Sequence, residues 1–212
     1  MPVNGREMED HYLDDYIAVR DALGLSRTVI IQTPHYGNDN ASMLDSLAAQ
    51  GLNKARGIAV TARIAPFGWH VQYRSTDEDL PALADRMGRL PVDVVVDHIG
   101  SIRPELGLDH PSFTALKGLI DRGRCWVKLS AAYQLSKTGA HSYSDYRAMA
   151  HALVAMAPER MLWGTNWPHP KVDFLPDDTD LLETMLDWTD DAATRKQILV
   201  DNPAKLYGFA ND

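Results

Sequence analysis

Residues 161–170 combine side chains that could do chemistry with the pattern of a strand end. Their sequence, MLWGTNWPHP, passes from apolar residues through a Gly-Thr-Asn turn to Trp167, Pro168 and His169. An amide such as that of Asn166 can orient water or a substrate, but it cannot take up a proton as a carboxylate does. We interpret this segment as a strand whose end completes an active site.

A second candidate, His98, follows Asp97 at the end of the apolar segment 93–97. A histidine there could polarise a carbonyl group, act as an acid or base, or bind a metal. The carboxylate before it could orient the ring or face outward against helices. The alternative is a structural histidine that bonds to backbone, but polar residues recur at other strand ends, which favours a functional one.

Further candidates follow the segment 125–129. Alternation along a strand puts Lys128 and Ser130 on one face. Inside a barrel this lysine would be paired or would serve an anionic ligand, whereas outside it would lie along the surface. Tyr133 is a candidate donor to a substrate carboxylate or lactone oxygen, and Gln134 follows it.

Tyr36 and the remaining histidines are weaker candidates. Tyr36, beside His35, could cover a substrate pocket or could pack beneath its loop. His70 begins a strand and so lies at the wrong end for catalysis, which favours core packing. The others fall on helices or surface loops, where we expect solvated or structural roles: His11, His110, His141 and His151.

Strands and helices alternate along the chain. Strands are predicted at 28–33, 56–60, 69–73, 93–97, 125–129 and 161–163. Helices are predicted at 8–23, in a segment that ends near 50, and at 79–89, 111–123, 179–188, 191–200 and 203–207. A further helix is predicted after a capping box at Ser142 and Asp145, and Asn202 is the predicted cap of the last helix. This order indicates a parallel sheet, either open or closed into a barrel. No glycine-rich nucleotide loop follows a strand, and polar residues at the strand ends, Gln72 and Arg74 among them, favour an α/β barrel with its site at the C-terminal face.

Composition narrows the class of ligand. The 212 residues include 21 basic and 29 acidic side chains, a formal charge of -8, which argues against a nucleic-acid or anionic-membrane partner and favours a small-molecule substrate. The single cysteine, Cys125, lies in an apolar strand and is expected to be inert. With no signal peptide pattern and no long apolar run, we expect a cytoplasmic protein.

Six segments, in this order, carry a family resemblance: TVIIQTPHYGNDN, IAPFGWHVQ, VVVDHIG, CWVKLSAAYQLS, ERMLWGTNWPHP and NPAKLYGF. They resemble the amidohydrolase-related (amidohydrolase 2) family, in particular members similar to 2-pyrone-4,6-dicarboxylate hydrolases. The resemblance implies a TIM-barrel-like (β/α) fold that hydrolyses lactones or related carboxylated rings. It also implies strand-end histidines and a last-strand aspartate, in some members without a metal.

The resemblance assigns roles by position. His98 matches the histidine that polarises the scissile carbonyl, and Asn166 stands in the place of the water-activating aspartate. Tyr36 and Tyr133 would contact the substrate, with Ser130 and His169 close to it. Gln134 stands where an arginine that binds a substrate carboxylate is common.

Two departures from the family pattern are expected to matter. Nothing before His11 resembles the H-x-H of the family's first strand, and the join near residues 60–62 is too short for a helix and a strand. We therefore expect an incomplete barrel of about six of the eight strands. Its exposed strand edges would be covered, paired with a second subunit in a homo-oligomer, or left prone to aggregation. Without H-x-H we expect no tightly bound divalent cofactor.

These features together predict a lactone-hydrolysing member of the amidohydrolase superfamily, with His98 as electrophile and Asn166 positioning water. One alternative is a shortened, catalytically impaired relative that serves as a ligand-binding module, or a gene-model fragment. A second is a decarboxylase-type lyase, although that chemistry usually depends on a metal.

Overall fold

The computed structural model describes residues 12–31, 41–51, 54–58, 69–139, 142–169, 172 and 174–209. Internal contacts divide the chain into two compact units, residues 1–63 with 207–212, and residues 64–206. The prediction of one barrel domain over residues 1–212 stays a prediction. No helix among the described residues is long and apolar enough to cross a membrane.

The smaller unit pairs two parallel strands beside two helices. Its elements are α1 (Leu13–Ala22), β1 (Thr28–Ile31), α2 (Ala41–Gln50) and β2 (Ala55–Ile58), with Thr28 opposite Ala55. The Gln50 side-chain oxygen accepts hydrogen bonds from Arg20 Nη1 at 3.1 Å and Thr28 Oγ1 at 3.2 Å. The end of α2 is thereby joined to both α1 and β1.

The larger unit holds a parallel sheet of four strands in sequence order, β3-β4-β5-β6. Its elements are β3 (Val71–Tyr73), α3 (Leu80–Met87), β4 (Val94–Val96), α4 (Pro111–Asp121), β5 (Cys125–Leu129), α5 (Arg147–Met156), β6 (Met161–Trp163), α6 (Asp178–Asp187), α7 (Ala192–Lys196) and α8 (Asn202–Tyr207). The described residues thus contain six strands, all parallel within their two sheets.

Helices α3 to α6 cover one face of the sheet in the larger unit. Val96, Val127 and Met161 lie in a single apolar core with the inward sides of α3, α4, α5 and α6. The alternate residues Val95, Trp126 and Leu162 pack together on the other face, where Leu206 of α8 contacts them. A doubly wound sheet reverses its strand order and places successive crossover helices on both faces. Sequential strand order with α3 to α6 all on one face is instead the arrangement of a barrel segment.

Cys125 lies in the helix-packed core, 2% exposed, as its apolar strand predicted. Burial raises the pKa of its thiol to about 12. The thiolate, which is the nucleophilic form, is therefore scarce at neutral pH.

The predicted capping box at Ser142 and Asp145 is wrong. α5 begins at Arg147, after a 3-10 turn at Ser144–Tyr146. The Asp145 carboxylate instead accepts hydrogen bonds from Ser136 Oγ at 2.6 Å and from the Lys137 backbone N–H at 2.7 Å. The loop after β5 thus supplies donors to this carboxylate from seven to nine residues earlier in the chain, which capping-box spacing does not reveal.

The predicted helix start at Asn202 is also wrong. A π-helical turn at Gln197–Asp201 runs into α8 without a break, and Asn202 has helical backbone angles. Its side-chain amide donates to the carbonyl oxygens of Pro158 and Met161, both at 2.7 Å. Asn202 therefore anchors the C-terminal helices to the start of β6 rather than capping a new helix.

Candidate active site

The ends of three adjacent strands share an unusual backbone geometry. His98 after β4, Ala131 after β5 and Asn166 after β6 have φ values of 56°, 55° and 65°. Residues other than glycine adopt this left-handed region at a cost, and such strain clusters at functional sites. The C-terminal edge of the sheet is therefore where the chain departs most from relaxed backbone.

In the turn after β4, every residue from His98 to Ser101 has a positive φ in the left-handed region. Ser75 Oγ donates to the Gly100 carbonyl at 2.9 Å. A Cβ atom at Gly100 would approach the Leu80 side chain to 3.0 Å, in addition to the strain of its φ of 71°. This packing fixes the direction in which His98 leaves the strand.

The side chain of His98 meets the end of the next strand. Its Nδ1 lies 2.9 Å from Ser130 Oγ, within hydrogen-bond distance. The predicted candidates His98 and Ser130 are thus brought together although 32 residues separate them. A ring held through Nδ1 can present its Nε2 edge to a ligand.

A second group of polar side chains forms between the ends of β5 and β6. Asn166 Nδ2 donates to the Tyr133 hydroxyl oxygen at 2.7 Å, and His169 Nδ1 lies 3.3 Å from the same oxygen. The rings of Tyr133 and His169 meet edge to face, with centroids 5.5 Å apart. Burial raises the pKa of Tyr133 to about 12, so this phenol stays protonated at neutral pH.

One member of this group was not predicted from the sequence. Asp178, the first residue of α6, has its Oδ1 3.2 Å from His169 Nε2, and the side chains are 16% and 1% exposed. In the sequence it lies within the acidic run DDTD, which signals only a helix start. No local pattern connects it to a histidine nine positions earlier.

Gln134 contacts a guanidinium from the neighbouring strand end. Arg74, just after β3, donates from Nη2 to Gln134 Oε1 at 2.8 Å. The resemblance placed Gln134 where relatives commonly carry an arginine. An arginine therefore does reach this region, but from β3 and not from the loop after β5.

A polar layer of Gln72, Asp97 and Lys128 lies on the face opposite the helices. Lys128 Nζ is 2.8 Å from Gln72 Oε1 and 3.2 Å from Asp97 Oδ1, while Gln72 Nε2 donates to Asp97 Oδ2 at 3.0 Å. Burial lowers the pKa of Lys128, and Asp97 opposes this shift. Of the two predicted positions for Lys128, the interior one is observed, paired with a carboxylate.

This pairing corrects both roles considered for Asp97. Its carboxylate neither orients His98 nor faces the helices, because it is engaged by Lys128 and Gln72. The strand alternation explains the difference, since Asp97 shares its face with Val95 and lies across from Lys128 of β5. The carboxylate of Asp97 thus neutralises an interior lysine.

At the opposite end of the sheet, His70 precedes β3 and lines a cleft of about 320 Å³. The other lining residues include Trp69, Asp93, Trp126 and Lys205. This is the amino-terminal end of the strands, as predicted, whereas His98 and Asn166 follow their carboxyl ends. Burial, then the charge of Lys128, lowers the pKa of His70 to about 4.

Acidification should destabilise the fold through His70. Its folded-state pKa of about 4 is below the ordinary 6.5, so the unfolded chain binds the proton more tightly. Stability is then full above pH 6.5 and falls as the pH drops toward 4, by roughly 3 kcal/mol in total. Urea unfolding at neutral pH and at about pH 4.5 should give a smaller difference for His70→Gln than for wild type. An equal difference, or one also reduced in the control His151→Gln, would exclude His70 as the cause.

Three comparisons place the chain among known proteins. A family model described as Amidohydrolase matches residues 53–209. A Comamonas testosteroni protein named 2-pyrone-4,6-dicarboxylate hydrolase is 33% identical, over 90% of this chain and 78% of its own length. A Hydrogenophaga intermedia protein named 4-sulfomuconolactone hydrolase is 28% identical, over 94% of this chain and 80% of its own length.

A solved structure from Agrobacterium tumefaciens superimposes with a TM-score of 0.84 at 28% identity, covering 94% of this chain and 86% of that chain. The alignment with the Comamonas protein spans 242 positions, more than the 212 residues of this chain, so it contains gaps opposite this chain. Such gaps are what the expected missing segments require.

Most of the predicted site residues occupy the same strand edge. His98 contacts Ser130, Tyr133 contacts Asn166 and His169, and Gln134 contacts Arg74. Tyr36 lies outside the described residues. These polar side chains follow the C-terminal ends of parallel strands, as in an α/β barrel enzyme. Together with the family model that matches residues 53–209, this arrangement shows that the chain belongs to the Amidohydrolase family.

Proposed function

We propose that this chain hydrolyses a lactone that carries an anionic group. The observation that carries the proposal is the meeting of His98 with Ser130, and of Asn166 with Tyr133, at neighbouring strand ends. Family membership and relatives named as lactone hydrolases support the same reaction class.

In this reaction the oxygen of water adds to the carbonyl carbon of the ring, and the ring carbon–oxygen bond then breaks. One proton of the water ends on the departing ring oxygen, and the new carboxylic acid ionises. His98 would donate an N–H to the carbonyl oxygen, where negative charge develops. Ser130 holds that ring through Nδ1, and the Asn166 carbonyl oxygen would accept a hydrogen bond from the attacking water.

The anionic group would be bound by Arg74. No carboxylate of the described residues pairs with its guanidinium, whereas Arg103, Lys128 and Lys137 each have one. Gln134 holds Arg74 through one N–H, and a guanidinium has five in all. The remaining N–H groups suit a planar carboxylate or a sulfonate.

Replacing Arg74 should therefore act on substrate binding. For Arg74→Gln we expect KM for an anionic lactone to rise by about tenfold or more, since a charge-assisted hydrogen bond is lost. KM for a neutral lactone should stay within about twofold. Initial rates over a range of lactone concentrations measure both. Arg86→Gln, at an exposed site on α3, is the matched control, and equal effects on both lactones would contradict the assignment.

The described residues lack the donor set of a metal site. No group of three or more histidine, cysteine, aspartate or glutamate side chains in that part of the chain could hold a metal ion. These residues do not fit a resident divalent cation, and the proposed mechanism uses none. We expect elemental analysis of purified protein to find substoichiometric zinc or manganese, whereas one equivalent would contradict this expectation.

A pH-indicator assay with a panel of lactones tests the proposal, because each hydrolysis releases a proton at neutral pH. We expect turnover of at least one carboxylated lactone and slower turnover of uncharged ones. Saturable binding of lactones without turnover would favour the ligand-binding module instead. Carbon dioxide release from a carboxylated substrate would favour the lyase.

A further inference from the structure

We propose that Asp178 is a positioning residue that sets the orientation of Asn166 through His169 and Tyr133. The inference rests on the proposed function, because it assigns to Asn166 the task of holding water. Its physical core, however, is a chain of buried polar contacts that runs from Asp178 through His169 and Tyr133 to Asn166 and is present without any substrate.

The direction of the chain begins at Asp178. An ionised carboxylate only accepts hydrogen bonds, and its Oδ1 lies 3.2 Å from His169 Nε2. Both atoms are buried and neither has an aligned hydrogen-bond partner among the described residues, so they face each other as an unsatisfied polar pair at ion-pair distance. At about pH 8, where an ordinary histidine is neutral, the arrangement that satisfies both atoms has the His169 proton on Nε2, facing this carboxylate, and the lone pair on Nδ1.

The hydroxyl of Tyr133 is constrained next. Its oxygen accepts a hydrogen bond from Asn166 Nδ2 at 2.7 Å. Asn166 and Gln134 both oppose the raising of the Tyr133 pKa by burial. A hydroxyl oxygen that accepts from an amide keeps its one proton for a different partner. The hydroxyl proton is left for His169 Nδ1 at 3.3 Å, the atom that carries the lone pair.

Asn166 is constrained last. Its amide nitrogen is committed to Tyr133 at 2.7 Å, so the carbonyl oxygen of the same side chain points away from the phenol. Without the proton on His169 Nε2, Tyr133 could turn its proton toward Asn166 and favour the flipped amide. Asp178 thereby selects the amide orientation that offers an acceptor to water. In this arrangement Tyr133 acts on Asn166, whereas a donor bond to substrate would compete with it.

The tautomer of His169 tests the chain without any substrate. Nitrogen NMR at about pH 8, above the ordinary histidine range, distinguishes Nε2–H from Nδ1–H, and the His169 signals are assigned by their loss in His169→Gln. We expect the Nε2–H form in wild type and in the control Glu183→Gln, an exposed carboxylate on the same helix. We expect a mixture of forms in Asp178→Ala. An Nδ1–H wild type, or an unchanged Asp178→Ala, would overturn the proposal.

Kinetics with a lactone that wild type hydrolyses supply the second test. Asp178→Ala and Tyr133→Phe should each lower kcat by roughly tenfold with KM within about twofold. The double variant should lose no more than either single variant, because both break one chain. Additive losses, or an unchanged kcat in Asp178→Ala, would overturn the proposal. If no lactone is hydrolysed, the proposed function fails while the NMR result still decides the hydrogen-bond chain.

Discussion

His98→Ala should lower kcat/KM for lactone hydrolysis by about 100- to 1000-fold, the usual loss when one donor to a developing oxyanion is removed. The ring leaves β4 through a left-handed turn, and Ser130 Oγ holds its Nδ1 at 2.9 Å. Removing the imidazole leaves the carbonyl oxygen without this preorganised donor. Because the ring is half-buried and outside the helix-packed core, stability should change little.

Two variants separate this effect from a general loss of histidine. His151→Ala removes a ring in the middle of α5 that contacts Arg147 Nε at 3.3 Å and none of the described strand-end side chains, and it should retain full activity. Ser130→Ala should lose less than His98→Ala, because it frees the ring without removing it. Steady-state rates under the same conditions measure all three. Equal rates for wild type and His98→Ala would remove His98 from the reaction.

Lys128→Met should lower the free energy of unfolding by about 3 to 5 kcal/mol, the typical cost of leaving a buried charge unpaired. Both side chains of the Lys128–Asp97 pair are 12% exposed, and their closest atoms are 3.2 Å apart. After the substitution the Asp97 carboxylate retains only Gln72 as a donor within the polar layer. Urea unfolding at neutral pH measures the loss.

A surface pair and a double variant make this prediction specific. Lys137→Met breaks an exposed ion pair with Glu105, whose side chains are 70% and 39% exposed, and should lower the free energy of unfolding far less than Lys128→Met does. The double variant Asp97→Asn with Lys128→Met should cost less than the sum of its single variants, since no unpaired charge remains. Additive costs would mean that the two groups stabilise the fold independently.

The alternation of strands and helices could be read from the sequence because it depends on local patterns. β5 and β6 were predicted with their observed bounds, Cys125–Leu129 and Met161–Trp163, as continuous apolar runs between polar loops. The strand-end residues His98, Ser130 and Asn166 followed from the same rule. Parallel strands end at one edge of a sheet, so polar residues after successive strands must gather there.

Contacts between distant segments could not be read in this way. Asp145 and Asn202 have the residue types of helix caps, and spacing assigns them that role, but the fold provides other partners. Arg74 reaches Gln134 across 60 residues, which brings an arginine to the place where this chain has glutamine and the family pattern has arginine. A hydrogen bond forms with a partner that is close in the folded protein, and the spacing of residues along the sequence does not show which partner that is.

The sequence by itself therefore determined the family, the order of the elements and the edge at which the polar residues meet, because periodicity and motif order are properties of the chain. Only the tertiary structure decided which partner each polar group takes. It paired Lys128 with Asp97, and it joined Asn166 to Asp178 through Tyr133 and His169. The orientation of a buried side chain depends on all its neighbours at once, and those neighbours come from separate strands and helices.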